Sequence, residues 1–236
     1  MICKIADLIA EIPTADGLAV RCKDYLWEET AQPDIVVREA LYRKELFAPG
    51  IPMKSVAYVE AAFQFYRQLL KYDGFYLHSS AVVYEGKAYL FSGRSGEGKS
   101  THTRLWQDTF GGDTRVINDD KPALRYIDGV WYAYGTPWCG KDGININEKA
   151  PLAGICFLKQ APHNRIRQLT PAEAMQKILG QTIHRLDDVQ NLDALLGHLE
   201  RLLAQIPVFE LENLPEPAAA LLSRETMSRE ALERNL

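Results

Sequence analysis

Apolar residues come in short runs separated by turn formers through the first fifty positions, and then change to helical spacing. Ile5 to Ile12, Leu18 to Cys22 and Ile35 to Val37 are brief apolar stretches divided by Pro13, Asp16-Gly17, Pro33 and Pro49-Gly50, a pattern that predicts a few short strands. From Ser55 to Tyr72, Val56, Val59, Ala62, Phe63, Tyr66, Leu69 and Leu70 follow a helical period, and Asp73-Gly74 closes the helix. Phe75 to Val83 and Lys87 to Phe91 read as two strands around the turn Tyr84-Glu85-Gly86. A helix is expected over Thr101 to Asp108 and a strand over Val116 to Asn118. Ala123 to Tyr126 and Val130 to Tyr134 flank Asp128-Gly129, a strong hairpin signal. Pro151 to Lys159 fits a buried strand. Everything from Thr170 onward is expected to be helical. Pro171 and Glu173 start one helix with a capping box, Leu192 to Ile206 forms a second, and Glu216 opens a charged third.

Strands alternating with helices place the chain in the α/β class, and the hairpins make its sheet mixed rather than purely parallel. A length of 236 residues suits one substantial core with a small addition, so residues 1–50 are expected to be a β-rich N-terminal subdomain and 51–236 the main body with C-terminal helices. The formal charge of −4 supplies no concentrated basic face, which argues against broad nucleic-acid or membrane-surface binding. No run of about 18 apolar residues occurs and Met1-Ile2-Cys3-Lys4 lacks a signal-peptide pattern, so a cytoplasmic protein is expected. Cys3, Cys22, Cys139 and Cys156 are scattered without CxxC spacing, consistent with reduced thiols.

One segment carries specific chemistry. Gly93-Arg94-Ser95-Gly96-Glu97-Gly98-Lys99-Ser100 fits G-x-x-x-x-G-K-[ST] at every fixed position, with an apolar strand before it and a helix from Thr101 after it. Glycines let successive backbone N–H groups turn onto phosphate oxygens, and the following helix adds its positive end. Lys99 would reach the β and γ phosphates, and Ser100 would ligate magnesium. ATP with Mg²⁺ is the implied cofactor pair.

Asn118-Asp119-Asp120 stands 20 residues beyond Lys99 at the end of a short apolar strand. Such a position holds a magnesium ligand in P-loop proteins, and a neighbouring carboxylate can take the proton of an incoming hydroxyl; the alternative is an Asp-Asp-Lys-Pro surface turn. His78 lies on the strand before the P-loop strand, where a lone histidine is more often a packed core residue.

Together, Leu77-His78-Ser79-Ser80-Ala81, the hairpin, the loop from Gly93 to Ser100 and Asn118-Asp119-Asp120-Lys121 resemble the HPr serine kinase/phosphorylases and the wider P-loop kinases with the phosphoenolpyruvate-carboxykinase-like nucleotide fold. The separation of 21 residues between His78 and Lys99 also matches that family. The resemblance implies that Asp119 deprotonates an acceptor hydroxyl with His78 tuning it, and that Asp120 helps Ser100 hold magnesium. It further implies a kinase acting on a hydroxyl, such as a Ser of a peptide or small protein. A regulator that binds nucleotide without efficient transfer and a small-molecule kinase are the rival readings, and homo-oligomerisation is left open. The chain departs from the family at Tyr134-Gly135-Thr136-Pro137-Trp138-Cys139-Gly140-Lys141, where the HPr enzymes carry a metal-site glutamate and this chain has no carboxylate. Their arginine-rich loop associated with phosphate removal has no counterpart here. The chain is more similar to compact HPr-kinase-like proteins, some of which resemble kinases of lasso-peptide precursors.

Thr136 to Gly143 is either a structural turn with Trp138 in the core or a ligand platform in which Trp138 offers a flat face and Lys141 a charge. Arg104, Arg165, Arg167 and Arg185 read as solvated residues, any of which can serve as a charge clamp if the fold brings it to the site.

Overall fold

The structure is a computed structural model that describes residues 1–112, 114–182 and 189–234. Strands β1 (Ile2–Ile5), β2 (Leu8–Glu11) and β3 (Ile35–Val36) form a small sheet; β1 and β2 are an antiparallel hairpin and β3 joins β2 in parallel. Ala6 and Asp7 at the hairpin tip both take positive φ, 53° and 58°, matching the twist of the strands they join. Leu18 to Cys22, expected as a strand, is instead the short helix α1 (Leu18–Arg21). Only Leu18 of that helix is buried, so it offers no alternating face for a sheet to use.

Helix α2 (Met53–Leu69) packs Val56, Ala61, Phe65 and Tyr66 against the small sheet and Trp138, in one core with Ile5, Ile12 and Tyr25. Each large side chain buried there contributes roughly 1.5–3 kcal/mol.

The large sheet has nine strands: β4 (Gly74–Tyr76), β5 (Ser79–Tyr84), β6 (Lys87–Ser92), β7 (Arg115–Asn118), β8 (Ala123–Ile127), β9 (Val130–Tyr134), β10 (Lys149–Gln160), β11 (Arg165–Gln168) and β12 (Val208–Asn213). Its order is β4-β8-β9-β10-β6-β5-β7, with β12 also beside β10 and β11 on β12. β6 and β12 run parallel to β10 and the remaining pairs are antiparallel, which makes the sheet mixed. The expected strand Phe75 to Val83 breaks at Leu77-His78 because the chain changes neighbours there: β4 pairs with β8, whereas β5 pairs with β6 and β7.

Helices α3 (Lys99–Phe110) and α6 (Pro217–Glu233) contribute Trp106 and Met227 to one core, which packs on Val82, Phe91 and Phe209 of the sheet. Helices α4 (Pro171–Leu179) and α5 (Val189–Gln205) contribute Ile178, Leu195 and Leu199 to another, with Leu90, Ile155 and Val208. The expected capping box is present: the Glu173 N–H donates to Thr170 Oγ1 at 3.4 Å, and the Thr170 N–H to Glu173 Oε2 at 2.9 Å. The C-terminal third is not helical throughout, because β12 interrupts it. Phe209 and Leu211 are buried while Glu210 and Glu212 meet basic residues, and pairing with β10 uses that period of two.

Candidate active site

The topology brings three separated sequence segments to one sheet edge. β6 ends at Ser92 and runs into Gly93, β7 ends at Asn118 and runs into Asp119, and β5, antiparallel to both, begins just after His78. Ser79 pairs with Ser92, and Ala81 with Asn118, so His78, the P-loop and the aspartates share an edge. Hydrogen bonds to backbone carbonyls tie them together. The Ser79 N–H donates to Asp120 O at 3.0 Å, and Ser92 Oγ donates to His78 O at 2.8 Å.

In the loop, Gly96 and Gly98 take φ of 89° and 90°, values that disfavour any side chain. Gly98 caps α3, whose first internal bond runs from the His102 N–H to Gly98 O at 2.8 Å. The N–H groups of Lys99, Ser100 and Thr101 therefore lie in the first turn, where helix geometry gives them no intrahelical acceptor. Arg94, Ser95, Gly96, Ser100 and Thr101 are exposed, and Glu97 is half-buried. Lys99 Nζ donates to the loop carbonyls of Gly93 at 2.9 Å and Arg94 at 3.3 Å. Burial lowers the Lys99 ammonium's proton affinity, and the charges of Asp120 and Glu97 oppose that shift.

The two aspartates face different partners. Asp119 accepts the Gly140 N–H, and burial raises its pKa against that hydrogen bond, with the Asp120 charge adding to the rise. Asp120 Oδ1 lies 3.2 Å from His78 Nε2, and its Oδ2 is paired with Lys121 Nζ and 3.2 Å from the Tyr58 hydroxyl. Burial alone would raise the Asp120 pKa; the His78 hydrogen bond and the Lys121 charge outweigh it and hold the carboxyl well below the usual range. His78 thus stands against Asp120 rather than Asp119, contrary to expectation. The two carboxylates take different partners, and the Gly140 N–H of the 136–143 loop claims Asp119.

Asn118 makes the turn that separates the pair. Its buried side chain accepts the N–H groups of Asp120 at 2.9 Å and Lys121 at 2.7 Å, and donates to Thr136 O at 3.0 Å. Tyr58 and Lys121 complete the environment of Asp120. Lys121 belongs to the motif read from the sequence, but Tyr58 carried no signal, because it comes from a helix 62 positions away. Trp138 is buried, with its ring 4.8 Å from Phe65 and 5.4 Å from Tyr66, so the 136–143 segment is a structural turn and its tryptophan offers no ligand face. Lys141 is exposed. Cys139 Sγ receives Asn145 Nδ2 at 3.2 Å and Arg21 Nη1 at 3.6 Å, and burial pushes its thiol up. Arg165 and Arg167, on β11, pair with Glu212 and Glu210 of β12 and Glu173 of α4, while Arg104 is exposed. Arg185 lies outside the described residues.

Among the described residues no cluster of three His, Cys, Asp or Glu side chains is placed to hold a metal, and no helix is long and apolar enough to cross a membrane. A site of one serine and one carboxylate suits magnesium carried in on phosphate oxygens, an ion that keeps few protein ligands.

No curated protein matches the chain. Among solved structures it is similar to the Hpr(Ser) kinase/phosphatase from Coxiella burnetii, with 13% identity, a TM-score of 0.40, and coverage of 68% of this chain and 92% of that one. The model of the SynChlorMet cassette protein ScmC family matches residues 51–212, a span running from the start of α2 through β12 and containing the whole edge described above. The chain belongs to the ScmC family of SynChlorMet cassette proteins.

Proposed function

We propose that the protein is an ATP- and magnesium-dependent kinase that transfers the γ-phosphoryl group to a hydroxyl, such as a Ser of a peptide or small protein. The observation that carries this reading is the shared edge: a glycine-turned phosphate loop lies beside two adjacent carboxylates whose surroundings push their proton affinities in opposite directions.

When bound, MgATP supplies the transferable phosphoryl group and the charge that activates it. The loop N–H groups and Lys99 bind and orient the phosphates, with Lys99 exchanging the carbonyls of Gly93 and Arg94 for phosphate oxygens. Ser100 and the ionised Asp120 would hold the metal, and His78 and Tyr58 orient that carboxylate. Asp119, whose raised proton affinity suits a base, takes the acceptor's proton. Protein catalysis of this type is mainly positioning and charge neutralisation.

One contact favours a second reading, a regulator that binds nucleotide without efficient transfer. Lys121 Nζ neutralises Asp120 from within the site. Incubation with γ-labelled ATP, magnesium and Ser-containing peptides separates the two. Label on the peptide supports the kinase, and tight ATP binding with no label transfer supports the regulator.

A further inference from the structure

A cavity of about 310 Å³ opens beside Tyr58, between α1 and the first turns of α2. It is at the small end of ligand sites, enough for a side chain rather than a whole cofactor. Asp16, Arg21, Lys54, Ser55, Tyr58 and Val59 line it.

Tyr58 joins this cavity to the two aspartates. Its hydroxyl lies 3.2 Å from Asp120 Oδ2 and 2.9 Å from Cys139 O, and the Arg21 guanidinium lies 4.5 Å from the centroid of its ring. Arg21 Nη1 is also 3.6 Å from Cys139 Sγ, one residue before the Gly140 N–H that Asp119 accepts. Arg21 is thus tied to the loop that anchors Asp119, whereas Lys99 stays with the carbonyls of Gly93 and Arg94.

Charge in the cavity is unbalanced. Arg21 is half-buried against an aromatic ring and a thiol that burial keeps protonated, and Lys54 is exposed. Among the described residues neither pairs with a carboxylate. Asp16, also exposed, is the one acid among the lining residues. A guanidinium partly removed from water and facing only sulfur and a ring gains most from a carboxylate, which it can bind through two charge-assisted hydrogen bonds.

We propose that this cavity takes an acidic side chain of the acceptor, Asp or Glu, on Arg21 and Lys54, so that the acceptor is a peptide whose serine has an acid close by in sequence. An extended chain advances about 3.3 Å per residue, so the path from the guanidinium past the Tyr58 ring to the aspartates takes about three residues. That spacing sets the acid within about three positions of the serine. Val59, 42% exposed, offers apolar surface to the acid's methylenes. The inference rests on the kinase reading above, and it adds the class of acceptor and the residues that select it.

The test uses short synthetic peptides of Ala and Gly around a single Ser, with Asp at one of the three positions on either side and Asn at the same position in the controls. Binding to the full chain is measured by fluorescence anisotropy without ATP, and transfer from γ-labelled ATP with magnesium is measured in parallel. At one position or more, the Asp peptide is expected to bind about 10-fold tighter than its Asn control. Arg21→Gln is expected to remove that margin, and Arg21→Glu to favour a Lys peptide at the same position. Lys54→Gln should reduce the margin by about 2- to 5-fold. Equal affinity for Asp and Asn peptides at every position, or a margin that survives Arg21→Gln, overturns the acid-binding cavity whatever the transfer assay shows. An Asp-dependent affinity that Arg21→Gln removes, with no label on any peptide, leaves the cavity standing and counts against the kinase reading. If the Arg21 variants do not fold, Lys54→Gln at its exposed position decides, and an unchanged margin there overturns the proposal.

Discussion

His78 Nε2 lies 3.2 Å from Asp120 Oδ1, whereas Asp119, one residue earlier, turns away to receive the Gly140 amide. In the proposed mechanism a histidine in that place supports the carboxylate that would hold the metal. His78→Ala is expected to raise the magnesium concentration needed for half-maximal activity by about 10-fold, as loss of outer-shell partners does at other metal sites. The acid-side limb set by Asp119 in the pH–rate profile should stay where it is. A shifted limb with unchanged magnesium dependence would return His78 to a role beside Asp119.

The two aspartates are expected to fail differently. Asp119→Asn should bind MgATP normally and lose transfer by about 10²–10⁴-fold, because an amide keeps the shape but cannot take the proton. Asp120→Asn should weaken magnesium-dependent nucleotide binding itself. Equilibrium binding and single-turnover transfer measured on both variants distinguish the roles, and the opposite assignment of the two phenotypes would show them exchanged.

Lys99→Ala should abolish nucleotide-dependent activity at little cost to folding. The ammonium touches only the carbonyls of Gly93 and Arg94, so a stability change within about 0.5 kcal/mol is expected in urea unfolding. Transfer at the wild-type rate would remove the P-loop from the mechanism.

Two glycines of the 134–141 segment separate activity from stability. A Cβ at Gly140 would stand 2.9 Å from Asp119 Oδ2, so Gly140→Ala should displace the carboxylate and lower transfer by about 10-fold or more with modest loss of stability. At Gly135 the same atom would lie 1.8 Å from Ile146 O, and Gly135→Ala should destabilise the fold by about 3 kcal/mol or more. Equal melting temperatures for the Gly135 variant and the wild type would contradict this packing.

An acid-dependent contribution comes from β12. Hydrogen bonds from Lys159 and His163 lower the Glu212 carboxyl from 4.5 to about 2. A carboxyl lowered in the folded state adds stability above its unfolded value and loses it as pH falls toward the folded one. The melting-temperature gap between wild type and Glu212→Gln should therefore be full above pH 4.5 and close toward pH 2. A gap that does not vary with pH would mean that Glu212 acts through packing alone.

The sequence by itself determined the local elements whose cause is local. Glu85-Gly86 and Asp128-Gly129 sit at hairpin tips with positive φ because short-range sterics demand it, and the Thr170-Glu173 box starts its helix through bonds confined to one turn. The glycine-rich loop motif was legible for the same reason, since the pattern behind its proposed phosphate-binding role lies within eight consecutive residues. Tertiary structure decided what depends on distant partners. β12 replaced a helix because β10 was available to pair with it, Leu18 to Cys22 coiled because no strand needed it, and Trp138 went to the core because α2 brought Phe65 and Tyr66 to it. Adjacent letters in the chain could not show that Asp119 and Asp120 take different partners. Asn118 sets that turn through Thr136, and Tyr58, Lys121 and Gly140 then give the two carboxylates different surroundings, so their chemical division is a property of the assembled sheet edge.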